Sequence, residues 1–278
     1  MSDLREEKSA RMNKVLKHLF LLKSFIILTW KHQEEYRKEF FIAVADFCVI
    51  TLLSILFWQS IFGYIKVLGD WKLYELIVLS IFGSVSWTIG NLFAGFLFIP
   101  LKVAKGDIDK YMSRPVNPLF ALLAEEMQLD EVLKGIITGG ILLVATLSTF
   151  GISVSISNLI LSLGLLLVGS FAISMIKGVV SLLCFWVGTA SFLNTILFLE
   201  DYGLERYPVD VLPIRVASFF TYIIPIGILS TFPARILFGK ESNVSIIFLM
   251  AIALMVFWVF LLSQMWRRGV KRYDSAGG

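Results

Sequence analysis

Residues that could carry out chemistry are few in this sequence and lie far from one another. The two histidines, His18 and His32, fall in a charged N-terminal stretch, and neither belongs to an H-E-x-x-H pair. Cys48 and Cys184 lie inside apolar stretches without a C-x-x-C spacing, so we interpret them as small buried side chains. The sequence also lacks G-x-x-x-x-G-K-[ST] and G-x-G-x-x-G, the glycine-rich motifs that hold phosphates. We therefore predict no catalytic residue, no metal site, no cofactor-binding site and no enzymatic activity in this chain.

A single acidic residue, Asp46, lies clearly inside an apolar stretch that is long enough to cross a membrane. Charged groups at that depth are costly, which makes Asp46 a candidate for moving ions or protons. It lies within about two helical turns of the predicted boundary, however, where a carboxylate can reach water. Carriers driven by an ion gradient normally have several such groups or two matching broken segments. An ion-gradient-driven carrier or channel is therefore the alternative function and not the first one.

The overall composition explains why polar groups are scarce. Of the 278 residues, 57% are hydrophobic and 17% are charged, and the mean hydropathy is +0.81. A soluble domain is about 45–50% apolar and about 25% charged. So much apolar surface cannot be buried in a 31.4 kDa globule, so the composition predicts an all-α protein embedded in a lipid bilayer. In that setting the net charge of +4 reflects loops beside the cytoplasm and not a nucleic-acid partner.

Six stretches are apolar enough to cross a bilayer, which requires about 20 residues. They comprise residues 40–65, 76–100, 129–150, 157–176, 179–199 and 245–266. The small polar residues 151–158 predict the turn between the third and fourth spans, and Lys177-Gly178 predicts an inner turn between the fourth and fifth. Residues 176–179 could alternatively lie within one longer helix, because a lysine can extend its amine to the interface.

The distribution of positive charge predicts the orientation. Nineteen of the twenty-five Lys and Arg residues lie in segments on one side of the predicted spans. Because cytoplasmic loops are rich in these residues, both termini are predicted to be cytoplasmic, in the cell's inner membrane. Residues 1–39 combine a helical apolar stripe with several lysines, which is typical of an amphipathic helix lying on the inner leaflet.

One apolar segment, residues 207–237, fits neither a loop nor a simple span. Its opening tyrosine and its prolines are Tyr207, Pro208, Pro213, Pro225 and Pro233. Prolines interrupt helices, and a broken helix within a membrane needs protein or water to cover its freed backbone groups. We predict a pair of short helices that enters from the outer face and returns to it. The alternative is a single kinked seventh span, which would place the C-terminal cluster of Arg and Lys outside.

The most informative polar segment, residues 105–115, follows the second predicted span. Gly106 and Asp107 can begin a short helix there, and Arg114-Pro115 would end it. The predicted apolar edge of this helix consists of Ile108, Tyr111 and Met112. The charged residues predicted to be exposed are Asp107, Asp109, Lys110 and Arg114. Spacing alone leaves open whether this helix contacts a partner or is a solvated loop helix.

The order of these features resembles a known family. Residues 106–115, G-D-I-D-K-Y-M-S-R-P, resemble the G-x-[IL]-D-x-x-L-x-R-P segment of type-2 ABC exporter permease subunits, in the branch with six spans and no fused ATPase. Glu35-Tyr36-Arg37 is similar to the E-Y-R before that family's first span, and residues 207–233 are similar to its proline-containing outer segment. Residues 266–278 resemble its W-x-x-G-x-x-x-Y-x-(S/G)-A-G ending. Met112 replaces the usual leucine, a volume-conserving departure.

The resemblance implies that residues 105–115 are a coupling helix that docks into a groove on a cytoplasmic ATPase. The implied coupling residues are Gly106, Asp107, Ile108, Asp109, Lys110, Tyr111, Met112, Arg114 and Pro115, with Ile108, Tyr111 and Met112 as apolar anchors. ATP and magnesium would be bound by that partner. A second six-span permease, identical or homologous, would complete the pathway, and residues 207–237 would form its outer gate.

The resemblance further implies that the chain forms half of a pathway for the export of an amphipathic or hydrophobic drug, lipid or peptide. Four residues could line that pathway or the seam between two permeases: Asp46, Ser86, Gly90 and Asn91. Small residues allow helices to approach closely, which suits either role. Ordinary packing within the chain is the alternative interpretation of Ser86, Gly90 and Asn91.

Overall fold

The computed structural model describes residues 37–66, 68–113, 116–188 and 203–273, and these residues form a bundle of helices. The helices are α1 (Arg37–Phe62), α2 (Leu73–Gly90), α3 (Gly95–Ala104), α4 (Asp109–Met112), α5 (Pro118–Glu125), α6 (Leu129–Thr149), α7 (Ile156–Leu182), α8 (Cys184–Val187), α9 (Ile214–Tyr222), α10 (Ile226–Leu229), α11 (Thr231–Leu237) and α12 (Val244–Arg272). No strand occurs in the described part of the chain, and the predicted all-α architecture is confirmed. The amphipathic helix predicted for residues 1–39 lies almost entirely outside the described residues.

Five helical stretches are long and apolar enough to cross a membrane. They are Val44–Phe62, Leu73–Ala104, Leu129–Thr149, Ile156–Val187 and Val244–Arg272. The bent pair formed by α9 and α10–α11 raises the number to six if it is treated as one crossing. These stretches confirm the predicted integral membrane protein, whereas the count of six crossings stays a prediction.

The second stretch, Leu73–Ala104, is the centre of the bundle and defines its two ends. It is the most buried of the five, while α1 and α12 expose most of their apolar side chains. A 3₁₀ turn at Asn91–Phe93 interrupts it between α2 and α3. Following the predicted orientation, we call the end near Ala104 the inner end and the end near Leu73 the outer end.

Close packing of α6 against α2 depends on two glycines. A Cβ on Gly135 would lie 2.2 Å from the Thr88 hydroxyl oxygen, and one on Gly139 would lie 2.2 Å from a methyl group of Val85. The four-residue spacing of these glycines places both on one face of α6, as in other close helix pairs in membranes. A Cβ on the neighbouring Gly140 would meet no atom within 4 Å. Glycine is therefore required on only one face of α6.

The predicted inner turn at Lys177-Gly178 is wrong, because α7 continues through it to Leu182. Lys177 does not reach for the interface: its side chain is buried, and its amine donates a hydrogen bond to the Asn91 side-chain oxygen at 2.8 Å. Gly178 lies against Phe96 and Leu262, where a Cβ would come within 3 Å of both. The predicted span 179–199 therefore begins inside the preceding helix, and its residues 189–199 lie outside the described residues.

The other predicted turn, between the third and fourth spans, is confirmed. Helix α6 ends at Thr149 and α7 begins at Ile156. Gly151 adopts φ +62° there, a left-handed conformation that glycine reaches without a steric penalty.

Candidate coupling surface and outer segment

The short helix predicted within residues 105–115 is present but shorter than predicted, and its coupling role stays a prediction. Gly106 turns the chain at φ +75°, and the helical residues are Asp109–Met112. Arg114 and Pro115 lie outside the described residues. The segment joins the inner end of α3 to α5, so it lies on the surface at that end of the bundle.

Ile108 and Tyr111 are not available as anchors for a partner. Both are 0% exposed and belong to a core cluster with Phe96, Ile99 and Leu122. Burial of these two side chains holds the segment against α3 and α5, which corrects the predicted anchor role. Sequence spacing identified the apolar edge of α4 but could not show that it faces the chain's own core.

A polar network fixes the position of Tyr111. The Lys102 amine donates to the Tyr111 hydroxyl and to the Glu126 carboxylate, both at 2.7 Å. Lys102 lies one turn from the end of the long central stretch, so the network ties that stretch to the segment after it. Lys102 and Glu126 were missing from the predicted site, since each is one of many charged residues near a span boundary.

A second ion pair lies nearer the solvent. The Lys110 amine lies 3.0 Å from the Glu125 carboxylate at the end of α5, and 4.8 Å from the centre of the Tyr111 ring. The hydrogen bond to Glu125 raises the pKa of Lys110. Burial alone would raise the pKa of Glu125, but the hydrogen bond and charge of Lys110, together with smaller effects of Tyr111 and Lys102, outweigh it and lower that pKa. Asn117 caps the start of helix α5, and its side-chain oxygen accepts from the backbone N–H groups of Leu119 and Phe120.

The C-terminal end of α12 packs against the same segment. Tyr273 lies near Asp109 and Asp107, and burial together with these carboxylates raises the pKa of the Tyr273 hydroxyl. Its ring contacts Phe185, which also contacts Trp266. The inner end thus joins α3, α4, α8 and α12 in one cluster, so a displacement of the surface segment would act on all of them.

The side chains that this segment leaves accessible form a small, mostly polar surface with one apolar residue. They are Lys105, Asp107, Lys110, Met112 and Ser113. Met112 is 42% exposed, and it is the one predicted anchor that remains accessible. A surface with charges of both signs around a flexible apolar side chain can contact a protein partner without exposing a large apolar patch.

The outer segment contains the short, separate helices that the proline pattern predicted. Pro213 precedes α9, Pro225 precedes α10, and the two helical parts are bent by 67° relative to each other. Pro208 and Pro233 are buried, whereas Tyr207 is partly exposed. The helical parts span about 14 and 18 Å, and each is too short for a hydrocarbon core of about 30 Å.

The two ends of this segment lie side by side. Asp210, just before it, and Arg235, near its end, form an ion pair of 2.7 Å. A single span would separate these residues by the thickness of the membrane. The pairing therefore supports a segment that enters and leaves at the same face.

Trp71 lies at the centre of a charged cluster at the outer end, which we call the outer charged cluster. Its members are Asp70, Glu75, Asp210, Arg235, Lys240 and Glu241. The indole of Trp71 is fully buried and donates to the Asp210 carboxylate at 3.0 Å. Arg235 and Lys240 lie 5.8 and 5.5 Å from its ring centre. Lys240 also bonds the Asp70 backbone carbonyl and the buried Glu75 carboxylate. The cluster joins the start of α2 to both ends of the outer segment, and the sequence alone does not reveal it because its members are spread from position 70 to position 241.

The predicted pathway residues in the central stretch, Ser86, Gly90 and Asn91, make contacts within the chain. The Ser86 hydroxyl donates to the Leu229 carbonyl at 2.6 Å, the Gly90 carbonyl accepts from Ser174 at 2.7 Å, and Asn91 accepts from Lys177. Asp46 is exposed on α1. Packing accounts for Ser86, Gly90 and Asn91, and a role for any of the four residues in a pathway or a seam between permeases stays a prediction.

These features define a class: a multi-pass, all-α membrane protein with a polar surface segment at one end and a bent pair of short helices at the other. A family model described as ABC-2 family transporter protein matches residues 48–277. The chain belongs to this family of membrane transport proteins. The match includes the surface segment, the central stretch and the outer segment. No curated protein sequence matches the chain significantly.

Proposed function

We propose that this chain is the permease subunit of an ABC exporter and works with a separate cytoplasmic ATPase. The observation that carries the proposal is the surface segment 105–113, which lies within the matched family region and is packed onto the ends of four helices. In this proposal the ATPase contacts the accessible face of that segment around Met112. Tyr111 and the Lys102 network transmit the displacement to the central stretch.

The proposal includes a second permease and an amphipathic or hydrophobic substrate. Apolar side chains cover the outward faces of α1 and α12, where lipid or a second permease would contact them. The re-entrant segment lies at the outer end and acts as the exit gate. ATP and magnesium are bound by the partner ATPase, and the permease binds no cofactor.

The proposal can be tested by purifying the tagged chain from its native membranes. An ATPase should co-purify, and ATP hydrolysis by the purified complex should be inhibited by vanadate. Met112→Glu places a charge at the centre of the accessible face and should lower ATPase recovery at least tenfold. Ile156→Glu is the matched control, because Ile156 is 76% exposed at the outer end of α7.

Equal ATPase recovery with both variants would contradict the proposed contact. Transport that continues without any ATPase and stops when the proton gradient is collapsed would favour the alternative, an ion-gradient-driven carrier or channel. The buried Lys177–Asn91 pair is the structural feature that such a carrier could use.

A further inference from the structure

A cavity of about 300 Å³ lies at the outer end between α1 and the outer segment. Its floor is formed by Trp58, Val209 and Ile226, which are 2–4% exposed. Tyr207 forms part of the mouth and is 38% exposed, and Phe220 of α9 forms part of the wall. The cavity therefore joins a span to the segment that we propose as the exit gate.

The lining of this cavity offers no polar group to a ligand in its interior. The only polar group of the Trp58 side chain, its indole N–H, already donates to the Ser80 hydroxyl at 2.9 Å. The remaining floor residues are aliphatic. The rings of Trp58 and Tyr207 lie edge to face with their centres 5.7 Å apart, so they present fixed aromatic surfaces. A cavity with such an apolar lining favours apolar groups over water.

From this geometry we propose that the cavity binds the uncharged apolar part of a small lipophilic molecule that has partitioned into the bilayer. An apolar cavity of about 150 Å³ holds benzene, so this one has room for about two aromatic rings or about twelve carbon atoms. A phospholipid acyl chain of about 16 to 18 carbons exceeds that volume. In the proposed exporter, molecules of this class are the substrates. This part of the inference rests on the proposed function.

Binding can be tested on the purified full chain in nanodiscs, without an ATPase. The probe is the single-ring lipophile 3-trifluoromethyl-3-phenyldiazirine, which is activated by light and located by mass spectrometry. We expect saturable labelling of the peptide that contains Tyr207 and Phe220, at least fivefold above that of the lipid-facing part of α12 around Leu249. Excess biphenyl should remove the signal, and this measurement needs no variant.

Leu212→Trp fills the cavity from its rim and should lower this labelling at least fivefold. Leu249→Trp is the matched control on α12, where Leu249 is 70% exposed, and should leave the labelling unchanged. Uniform labelling of all lipid-facing helices, or no competition by biphenyl, would overturn the proposal. Labelling of the cavity by a phospholipid with a diazirine on its acyl chain, undiminished by biphenyl, would also overturn it. None of these results depends on whether an ATPase co-purifies.

Discussion

Asp210 and Arg235 form an ion pair with 2.7 Å between the carboxylate and guanidinium groups, although they are 25 positions apart in the chain and helices α9 and α10 lie between them. The same guanidinium group also pairs with Asp70 and Glu241, each at 3.3 Å. One cation therefore connects both ends of the outer segment to the loop that precedes α2. Any motion that opens this segment has to separate these groups or carry the loop along with it.

Replacing this cation should loosen the outer segment. Arg235→Gln removes the positive charge that pairs with three carboxylates. We expect it to lower the free energy of unfolding by about 1–3 kcal/mol. Hydrogen exchange of residues 214–237 should accelerate, because the segment loses the connection at its end. Both quantities can be measured in nanodiscs, the first by thermal unfolding followed with circular dichroism.

Arg215→Gln is the matched control, since Arg215 is an exposed cation on α9 of the same segment. It should change neither quantity by a measurable amount. If Arg215→Gln and Arg235→Gln behaved alike, the contribution of the Asp210–Arg235 pair to holding the segment would be refuted.

The glycine face of α6 predicts a sharp difference between two adjacent residues. Gly139→Ala forces a methyl group into the stiff side chain of Val85, and overpacking of this kind costs about 1–3 kcal/mol. Gly140→Ala adds the same methyl group where no atom lies within 4 Å and should cost nothing. Thermal unfolding of the two variants makes the comparison, and equal midpoints would argue against close packing of α6 on α2.

Tyr111 and Met112 are neighbours that should have opposite phenotypes. Tyr111→Ala leaves a cavity in the core and should lower stability by about 3–5 kcal/mol, whereas Met112→Ala should leave stability unchanged. Recovery of the ATPase should fall with Met112→Ala even though that variant is fully folded. A destabilised Met112→Ala, or a stable Tyr111→Ala, would contradict the observed burial of these side chains.

The Lys110–Glu125 pair should stabilise the inner end within a defined pH window. Because the folded-state pKa of Glu125 is lowered, its contribution is present above the ordinary value of 4.5 and is lost as pH falls through the folded value. The pKa of Lys110 is raised, so its contribution is present below 10.5 and is lost as pH rises through the folded value. The pair is exposed, which limits its contribution to under about 1 kcal/mol.

A double-mutant cycle with Lys110→Gln and Glu125→Gln measures this contribution from the thermal midpoints. We expect a favourable coupling at pH 7 and its loss near pH 3. Coupling that stayed the same at both pH values would mean that the charges of the pair are not its source.

The hydrogen bond between Lys177 and Asn91 holds α7 against the 3₁₀ turn in the central stretch. Asn91→Leu removes the acceptor from a buried amine and should cost about 1–3 kcal/mol. Asn91→Asp keeps an oxygen in the same place and should retain most of the stability. If the two variants lost equal stability in thermal unfolding, the side chain of Asn91 would matter for its shape and not for its hydrogen bond.

The sequence alone predicted the features that depend on residues close together in the chain. A span requires a continuous apolar stretch, a turn requires residues such as Gly151, and a broken helix requires prolines such as Pro213 and Pro225. These requirements are local, and for this reason the membrane class, the turn before α7 and the breaks between the short helices of the outer segment were correctly predicted.

Tertiary structure alone decided which way the polar and aromatic side chains face. From the sequence, the charge of Lys177 is expected to reach the interface. In the structure its amine instead donates a hydrogen bond inside the bundle to Asn91, 86 positions earlier. Tyr111 was expected to be an apolar anchor for a partner, but it is buried in the core of the chain itself. The pairing of Asp210 with Arg235 likewise depends on how the outer segment turns back. Hydropathy indicates the free-energy cost of burying a side chain. Whether hydrogen bonds or ion pairs within the chain offset that cost depends on the neighbours that pack against the side chain.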